Sequence, residues 1–317
     1  MLHFDTNGEF RILIIADIQD GNPLDEIKQK KLEQLINVAN PGLIVLLGDM
    51  IFGPVVFSEK KARAIIESIL KPIEKKQIPF AFVTGNHDTD SRVTTDKQME
   101  MYRRSSLCIT PMPSDRKCRE SYSLFVQDDN KLAVQLVFHD SGRTHITLRG
   151  VLYDPVSYEQ LRYETEALQE NKDIPAFVFQ HIPVPEIYKL ISVTEKETQG
   201  SIRTGSFLNR KYMKLKNPQD GTLGEHPCPP DRNAGQFNNL VQSGNVKAAV
   251  FGHDHKNSFC GEVEGIKLIQ TACAGLSCYG DDRLRGGRVV KIQSDGKFST
   301  EEIKYAENYV CKYEKNG

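Results

Sequence analysis

Apolar and polar positions along the first third of the chain alternate between short continuous apolar runs and helical spacing. The runs Phe10–Ala16, Leu43–Leu47 and Phe80–Thr84 have the pattern of strands that are buried on both faces. Between them, Asp25–Ala39 and Glu59–Lys76 place apolar residues on one helical face. This β-α-β-α-β order predicts an α/β fold with parallel strands joined by right-handed crossovers.

The rest of the chain continues this pattern less regularly. Ser192–Asn233 is polar, contains Gly and Pro and has no clear periodicity, so we predict a long loop insertion at about 192–233. We find no repeat and no linker, which favours a single domain over 1–317. The further predicted elements are a hairpin (Tyr122–Val126 and Leu132–His139), two helices (Ser157–Gln169 and Gln236–Ser243), two strands (Ala176–Gln180 and Val246–Phe251) and antiparallel strands within Gly261–Thr271 and Gly287–Ile303.

Composition narrows the functional classes. The net charge of −1 gives no overall positive field, so a dedicated nucleic-acid binder is not expected. No apolar run reaches the roughly 18 residues of a membrane span. The cysteines are odd in number, widely spaced and lack a CxxC pair, which argues against a disulfide scaffold and a cysteine zinc site. We expect a cytoplasmic monomer, or a secreted one if a leader has been removed.

Polar side chains of metal-ligand type follow five of the predicted strands directly. Because ligands bind beyond the carboxyl ends of strands in α/β sheets, we expect these side chains to share one edge. Taken singly, each has an ordinary explanation as a helix cap, a turn residue or a structural histidine. Their coincidence at five strand ends favours a site for Mn, Zn or Fe. The residues are Asp17, Gln19, Asp49, Asn86, His87, Asp88, His181, His253 and His255.

The order and spacing of these residues resemble the calcineurin-like metallophosphoesterase family over nearly the whole chain. The resemblance rests on Asp17, Gly48-Asp49, Gly85-Asn86-His87-Asp88, His181 and Gly252-His253-Asp254-His255. It implies a four-layer α-β-β-α sandwich, in which helices flank two mixed sheets. It also implies two divalent metal ions, of which Mn, Fe and Zn are the candidates.

The resemblance further implies a role for each matched residue. Asp49 would bridge both metals, Asp17 and His255 would bind the first, and Asn86, His181 and His253 would bind the second. His87 would donate a proton to the leaving group or stabilise charge, with Asp88 orienting it. Asn86 and His87 would also contact the substrate. A hydroxide that bridges the metals would attack phosphorus.

Two positions depart from the pattern of the family. Most members have His where this chain has Gln19, which either ligates the first metal weakly or leaves that metal with one ligand fewer. A branch with Gln here includes manganese-dependent diphosphatases that act on ADP-ribose and CDP-alcohols. Phe52 stands where purple acid phosphatases have a metal-binding Tyr, so we expect a colourless protein. The segments around His181 and His253 nevertheless resemble single-domain relatives of purple acid phosphatases.

Three functional hypotheses follow from the resemblance. A phosphomonoesterase or protein phosphatase is favoured by the segments around His181 and His253, with a small phosphorylated substrate or a phosphoprotein as partner. A nucleotide diphosphatase or phosphodiesterase with an ADP-ribose-like substrate is favoured by Gln19. A non-catalytic scaffold on the same fold would require a broken metal or acid position, and His87 and the second-metal ligands are all present.

Overall fold

The computed structural model describes residues 1–118, 120–148, 150–205 and 210–305. Within these ranges the α-helices are α1 (Glu26–Ala39), α2 (Glu59–Lys76), α3 (Asn86–Thr89), α4 (Thr95–Tyr102), α5 (Tyr158–Glu170) and α6 (Gln236–Ser243). The strands are β1 (Leu2–His3), β2 (Glu9–Ile15), β3 (Leu43–Leu47), β4 (Phe80–Val83), β5 (Ser121–Asp128), β6 (Lys131–His139), β7 (Thr144–Thr147), β8 (Gly150–Tyr153), β9 (Ala176–Gln180), β10 (Ile191–Thr194), β11 (Ile202–Gly205), β12 (Arg210–Leu215), β13 (Gly221–Leu223), β14 (Val246–Phe251), β15 (Asn257–Val263), β16 (Ile266–Gln270), β17 (Gly286–Gln293) and β18 (Phe298–Lys304).

Three N-terminal and two C-terminal strands form a five-stranded sheet in the order β18-β17-β2-β3-β4. Strands β2, β3 and β4 are parallel, and β17 pairs antiparallel with β2. All five residues of β3 are buried, since both faces of the sheet are covered. Leu13 and Ile44 pack outward in a cluster with residues of α1 and α2, whereas Ile12 and Val45 pack on the opposite, inner face.

The second sheet has eight strands in the order β1-β5-β6-β9-β14-β16-β15-β13. Its central strands β6, β9, β14 and β16 are mutually parallel. Val178 and Ala249 point outward into a cluster with Leu168 of α5 and Phe237 of α6. Helices therefore cover the outer face of this sheet too.

The inner faces of the two sheets meet in a shared apolar core. Leu47 and Ile14 from the five-stranded sheet belong to one cluster with Phe138, Phe179 and Val250 from the eight-stranded sheet. Burying each such side chain is worth about 1.5–3 kcal/mol. The layers are thus helix, sheet, sheet and helix, and the predicted α-β-β-α sandwich of two mixed sheets is confirmed.

Two of the predicted helices, α1 and α5, were started at their capping residues. Asp25 accepts a hydrogen bond from the backbone N–H of Lys28, and Ser157 forms a capping box with Gln160. The helical segments themselves start one residue later than predicted, because an N-cap residue lies outside the helical backbone. The bounds of α2 and α6 agree with the prediction.

The segment 192–233 is not the irregular loop that we predicted. Strands β10, β12 and β11 form a three-stranded antiparallel sheet, and β13 pairs with β15 at the edge of the large sheet. Ile191, Met213 and Leu215 anchor these strands in the outer apolar cluster. These strands were missed in the sequence because they are short and carry exposed Lys and Arg, which obscure the alternation of buried and exposed residues. Residues 206–209 of the segment lie outside the described ranges.

Candidate metal centre

The carboxyl ends of strands from both sheets meet at one rim of the sandwich. Backbone and side-chain hydrogen bonds join the loops across the seam between the sheets. His253 N–H donates to Oδ2 of Asp17 at 3.0 Å, and the His181 ring contacts the Leu47 carbonyl through Nδ1 at 2.8 Å. The predicted ligands after β2, β3, β4, β9 and β14 are therefore brought together, although they come from two sheets.

Asp49, His181 and His253 form a compact group at this rim. One potential ligand atom from each lies within 4.8 Å of the others. Nε2 of His181 is 3.2 Å from Oδ2 of Asp49. Because Nδ1 of His181 is engaged with the Leu47 carbonyl, Nε2 is the nitrogen that faces the carboxylate. This group matches three of the four ligands predicted for the second metal.

Asn86 presents the fourth predicted ligand of that position. Its Nδ2 donates to Oγ1 of Thr144 at 3.0 Å. This bond orients the amide and leaves Oδ1, the atom that can bind a cation, buried and without a hydrogen-bond partner among the described residues.

The residues predicted for the first metal lie beside this group. Nε2 of His255 is 3.4 Å from Oδ1 of Asp17. The other ring nitrogen, Nδ1, contacts the Tyr279 carbonyl at 2.7 Å, and the Tyr279 ring stacks on the imidazole with centroids 4.0 Å apart. Gln19 is buried in the same loop as Asp17, and its backbone N–H donates to the Asp49 carbonyl at 2.8 Å. The ligand role of Gln19 stays a prediction.

The donor atoms at the rim fit a pair of cations. Within the part of the chain that the structure describes, each of them is buried and has no hydrogen bond, which is costly for polar atoms unless a ligand satisfies them. All are oxygen or imidazole nitrogen, the donors that Mn, Zn and Fe accept. The atoms are Asp17 Oδ1, Asn86 Oδ1, His181 Nε2 and His253 Nε2. His181 Nε2 and Asp17 Oδ1 do have charged neighbours, Asp49 at 3.2 Å and His255 at 3.4 Å.

The buried carboxylates at the rim also favour binding of a cation. Burial opposes protonation of His181, but the carboxylates of Asp49 and Asp17 outweigh it and raise its pKa to about 9. Burial favours the neutral form of Asp49, yet His181 holds the pKa of this carboxyl well below its usual range. Burial and the charge of His181 lower the pKa of His253 far below its ordinary value. A bound cation would take over the neutralising role of the His181 proton.

Asp88 does not orient His87, so this prediction is wrong. Oδ2 of Asp88 accepts the N–H groups of Asp49 (2.7 Å) and Gly85 (2.9 Å), and Oδ1 accepts those of Met50 and Ile51 (both 3.1 Å). Burial and the charge of Asp49 raise the pKa of Asp88 to about 7, while the Gly85 and Ile51 amides oppose this rise. The carboxylate therefore holds the loop that carries Asp49.

His87 instead faces a carboxylate that the sequence did not single out. Its Nδ1 lies 3.4 Å from Oδ2 of Asp90, and its backbone N–H donates to Oδ1 of Asp49 at 2.8 Å. The Phe52 ring packs edge-on against the imidazole, with centroids 5.4 Å apart. The side chain of His87 is 28% exposed, so the ring borders the mouth of the site. Asp90 is one turn of helix from His87, which is the signal that would have identified it.

Two glycines before the ligands are required by close packing. A Cβ on Gly48, whose φ is +86°, would lie 2.7 Å from the ring of His181. A Cβ on Gly85 would overlap the carboxylate of Asp49. The Gly-Asp and Gly-Asn pairs are therefore more than turn signals, because each glycine leaves room for a ligand from another strand.

The backbone of the ligand loops is itself unusual. Asp17, Gln19, Asp49 and His253 all have φ between +44° and +74°, the left-handed region that side chains other than Gly rarely adopt. Such conformations persist where the surrounding structure enforces them, and they concentrate at functional sites.

Two cysteines that we excluded as metal ligands lie at the same rim. Potential ligand atoms of His255, Cys273 and Cys278 lie within 4.8 Å of one another. Strand β16 is parallel to β14, so Cys273 follows the carboxyl end of a further parallel strand. The rule that located the other ligands would have located Cys273 as well, had the Gly261–Thr271 segment been resolved into two strands.

Comparisons with known proteins agree with this geometry. Two relatives are "Probable inactive purple acid phosphatase 29" of Arabidopsis thaliana, 26% identical over 93% of this chain and 80% of that protein, and "Phosphatase DCR2" of Saccharomyces cerevisiae, 23% identical over 80% and 45%. A dimetal phosphatase from Danio rerio has a similar fold, with a TM-score of 0.55, 14% identity and coverage of 94% of this chain and 99% of that chain.

Two further findings concern membrane-spanning helices and family membership. In the described ranges, no helix combines the length and apolar character needed to cross a bilayer. The family profile described as "Calcineurin-like phosphoesterase" matches residues 10–257, which is more than half of the chain and includes every predicted ligand. The chain therefore belongs to the calcineurin-like phosphoesterase family.

Proposed function

We propose that this protein hydrolyses a phosphate ester with the help of two divalent cations held at the rim of the sandwich. The observation that carries the proposal is the convergence of four buried donor atoms without hydrogen-bond partners among the described residues. Members of the family bind a dinuclear metal centre, and a group of Asp and His side chains suited to a cation is present here.

The ligand set divides into two positions that share Asp49. Asp17 and His255 would hold the first cation, with Gln19 as a further donor, and Asn86, His181 and His253 would hold the second. The proximity of Asp49 to His181 and of Asp17 to His255 supports this division. Bound at these positions, the cations would supply activation of water and neutralisation of the charge on the phosphate.

His87 is proposed as the residue that donates a proton to the leaving oxygen. Its Nδ1 faces Asp90, which would orient the ring and leave Nε2 available for the substrate. The bond from its backbone N–H to Asp49 fixes its distance from the centre. Asn86 and His87 together form the proposed contact surface for the phosphate.

We propose a phosphomonoester or a phosphoprotein as the substrate. The relative from yeast is named a phosphatase, which supports this class. A groove lined by Ser141, Arg143 and Arg232, and also by carboxylates such as Asp154, has donors that could bind a larger phosphorylated ligand. The second candidate, a nucleotide diphosphatase, rests on Gln19. The plant relative carries the word inactive in its name, so the test must also include a non-catalytic protein as an outcome.

The experiment combines metal analysis with three substrates. Freshly purified protein is analysed for bound metals and then assayed with Mn²⁺ on p-nitrophenyl phosphate, bis-p-nitrophenyl phosphate and ADP-ribose. We expect the fastest turnover on the monoester. Preference for ADP-ribose would favour the diphosphatase, and no turnover with Mn²⁺, Fe²⁺ or Zn²⁺ on any substrate would refute the proposal and favour a scaffold.

Variants then separate metal binding from proton transfer. His87→Ala should lower turnover by about 10²–10⁴-fold and keep both metals, because the ring is a proton donor and not a ligand. Asp49→Asn should lose metal and activity together, since it removes the shared charge. The matched controls are His3→Ala and Asp129→Asn, both at exposed positions. Loss of metal in His87→Ala would mean that His87 is a ligand or organises the site.

A further inference from the structure

The loop that follows β16 crosses the rim of the metal centre. The backbone N–H groups of Ala274 and Gly275 donate to the carbonyls of Ala16 (2.8 Å) and Asp17 (2.9 Å), and the N–H of Cys273 donates to the carbonyl of His255 (3.2 Å). The loop is therefore tied to the strand ends of both sheets. Its two cysteines, Cys273 and Cys278, are carried to the same place by these bonds.

The two sulfurs and a ring nitrogen of His255 form a three-donor group. Their potential ligand atoms lie within 4.8 Å of one another. A tetrahedral zinc ion with bonds of roughly 2.0–2.3 Å holds its ligand atoms about 3.3–3.8 Å apart. Small side-chain rotations would close the group onto one ion. The spacing between the cysteines is four intervening residues, so no CxxC motif marks the pair in the sequence.

The buried guanidinium of Arg285 contacts both sulfurs. The guanidinium of Arg285 lies with NH1 at 3.2 Å from Sγ of Cys273 and 3.8 Å from Sγ of Cys278. The same side chain is fixed by donating to the Cys278 carbonyl and to Asp282, at 2.9 and 2.7 Å. Donors aimed at sulfur stabilise thiolates and are common around metal-bound cysteines.

We propose that His255, Cys273 and Cys278 bind one divalent metal ion through a ring nitrogen and two thiolates at the first-metal end of the centre. The two thiol protons leave to solvent as the ion binds. Oδ1 of Asp17, 3.4 Å from Nε2 of His255 and without a hydrogen-bond partner in the described residues, borders the same position. Thiolate donors favour Zn²⁺ and Co²⁺ over Mn²⁺ and Mg²⁺.

With this assignment, the two thiolates add donors to the first position, where Gln19 replaces the usual imidazole. It also gives the two ends of the centre different chemistry, with sulfur at one end and only oxygen and nitrogen at the other. The assignment goes beyond hydrolysis, since the ion would be bound whether or not the protein turns over an ester.

The test uses Co²⁺ as a spectroscopic probe. The full chain is kept reduced with a phosphine, freed of metal with a chelator and titrated with Co²⁺. Thiolate ligands give an intense sulfur-to-cobalt charge-transfer band in the near ultraviolet, which oxygen and nitrogen ligands do not give. We expect the band in the wild type, a weaker band in Cys273→Ser and in Cys278→Ser, and no band in the double variant.

Cys260→Ser is the matched control, because Cys260 is a partly buried free cysteine that is not part of the three-donor group. It should keep the full band. Absence of the band in the wild type at saturating Co²⁺, or its survival in the double variant, would overturn the proposal. Circular dichroism checks that the variants are folded.

A second measurement needs no substitution. Zn²⁺ should protect the partly exposed Cys278 of the wild type from alkylation, as measured by peptide mass spectrometry, while Cys260 reacts equally with and without Zn²⁺. Cys273 is buried and is not scored. Equal labelling of Cys278 with and without Zn²⁺ would overturn the proposal. A protein that hydrolyses no ester yet shows the band and the protection would refute the proposed function and support this site. Turnover of an ester without the band and without the protection would support the proposed function and refute this metal site.

Discussion

Replacing Asp88 by Asn tests whether this carboxylate builds the loop that carries Asp49. Each of its two oxygens accepts two buried backbone N–H groups. An Asn side chain has the same shape but only one acceptor oxygen. Whichever way the amide is turned, two of the four N–H groups lose their acceptor and face an NH₂ donor instead.

The magnitude follows from these two lost partners. A buried donor left unsatisfied costs about 1–3 kcal/mol, so two of them cost roughly 2–6 kcal/mol. Total stabilities of folded proteins are about 5–15 kcal/mol, so this is a large share. For a chain of 317 residues the unfolding temperature should fall by roughly 3–9 °C. Metal affinity should fall as well, because the backbone of Asp49 loses its support.

The assay is thermal unfolding followed by circular dichroism, with metals removed by a chelator. It is run at about pH 8, above the pKa of about 7 to which burial and the charge of Asp49 raise Asp88, so that the carboxylate is ionised. The neutral Asn relieves this burial and repulsion, so roughly 2–6 kcal/mol is the upper limit of the loss. Asp129→Asn is the matched control, because Asp129 lies in an exposed turn with a φ of 43° that Asn accepts readily.

Two results would refute this reasoning. Equal unfolding temperatures for Asp88→Asn and Asp129→Asn would mean that the four hydrogen bonds contribute no more than the cost of holding the ionised carboxylate near Asp49. A loss of turnover with unchanged stability and metal affinity would mean that Asp88 serves catalysis and not the support of the loop that carries Asp49.

Three further predictions concern the metal centre. Mn²⁺ or Zn²⁺ at a hundred times its dissociation constant should stabilise the fold by about 2.7 kcal/mol per site, and a chelator should reverse the shift in unfolding temperature; an unchanged temperature would argue against a metal centre. Gly48→Ala should weaken metal binding measured by calorimetry, because its methyl group meets the ring of His181, whereas Gly8→Ala, at a positive φ with open space around it, should not. Gln19→His should tighten the first metal in the same measurement, and unchanged affinity would show that Gln19 points elsewhere.

The fold was largely predictable because its central strands are continuous apolar runs. Leu43–Leu47 and Ala176–Gln180 are buried along their whole length, and their bounds agree with the prediction. The ligands that follow them could be located from the general rule about strand ends, without knowledge of which strands pair. Segment 192–233 was harder, since its short strands depend on tertiary packing for their stability.

The functions of Asp88 and the cysteines depend on long-range geometry. Asp88 acts on backbone N–H groups, which every residue possesses, so no side-chain pattern reveals its partners. Cys273 reaches the rim only because β16 pairs parallel with β14, and local periodicity does not specify the direction of pairing. Asp90 was missed because the short helix α3, which places it one turn from His87, was not predicted.

The seam between the sheets has a consequence for the order of folding. The hydrogen bond from His253 to Asp17 joins residues that are 236 positions apart in the chain. The aspartates of the centre, Asp17 and Asp49, are therefore synthesised long before the histidines that follow β14. Closing so large a loop comes late, after most local contacts have formed. A cation that needs both the aspartates and the histidines should therefore slow unfolding relative to the metal-free protein and leave the rate of folding nearly unchanged.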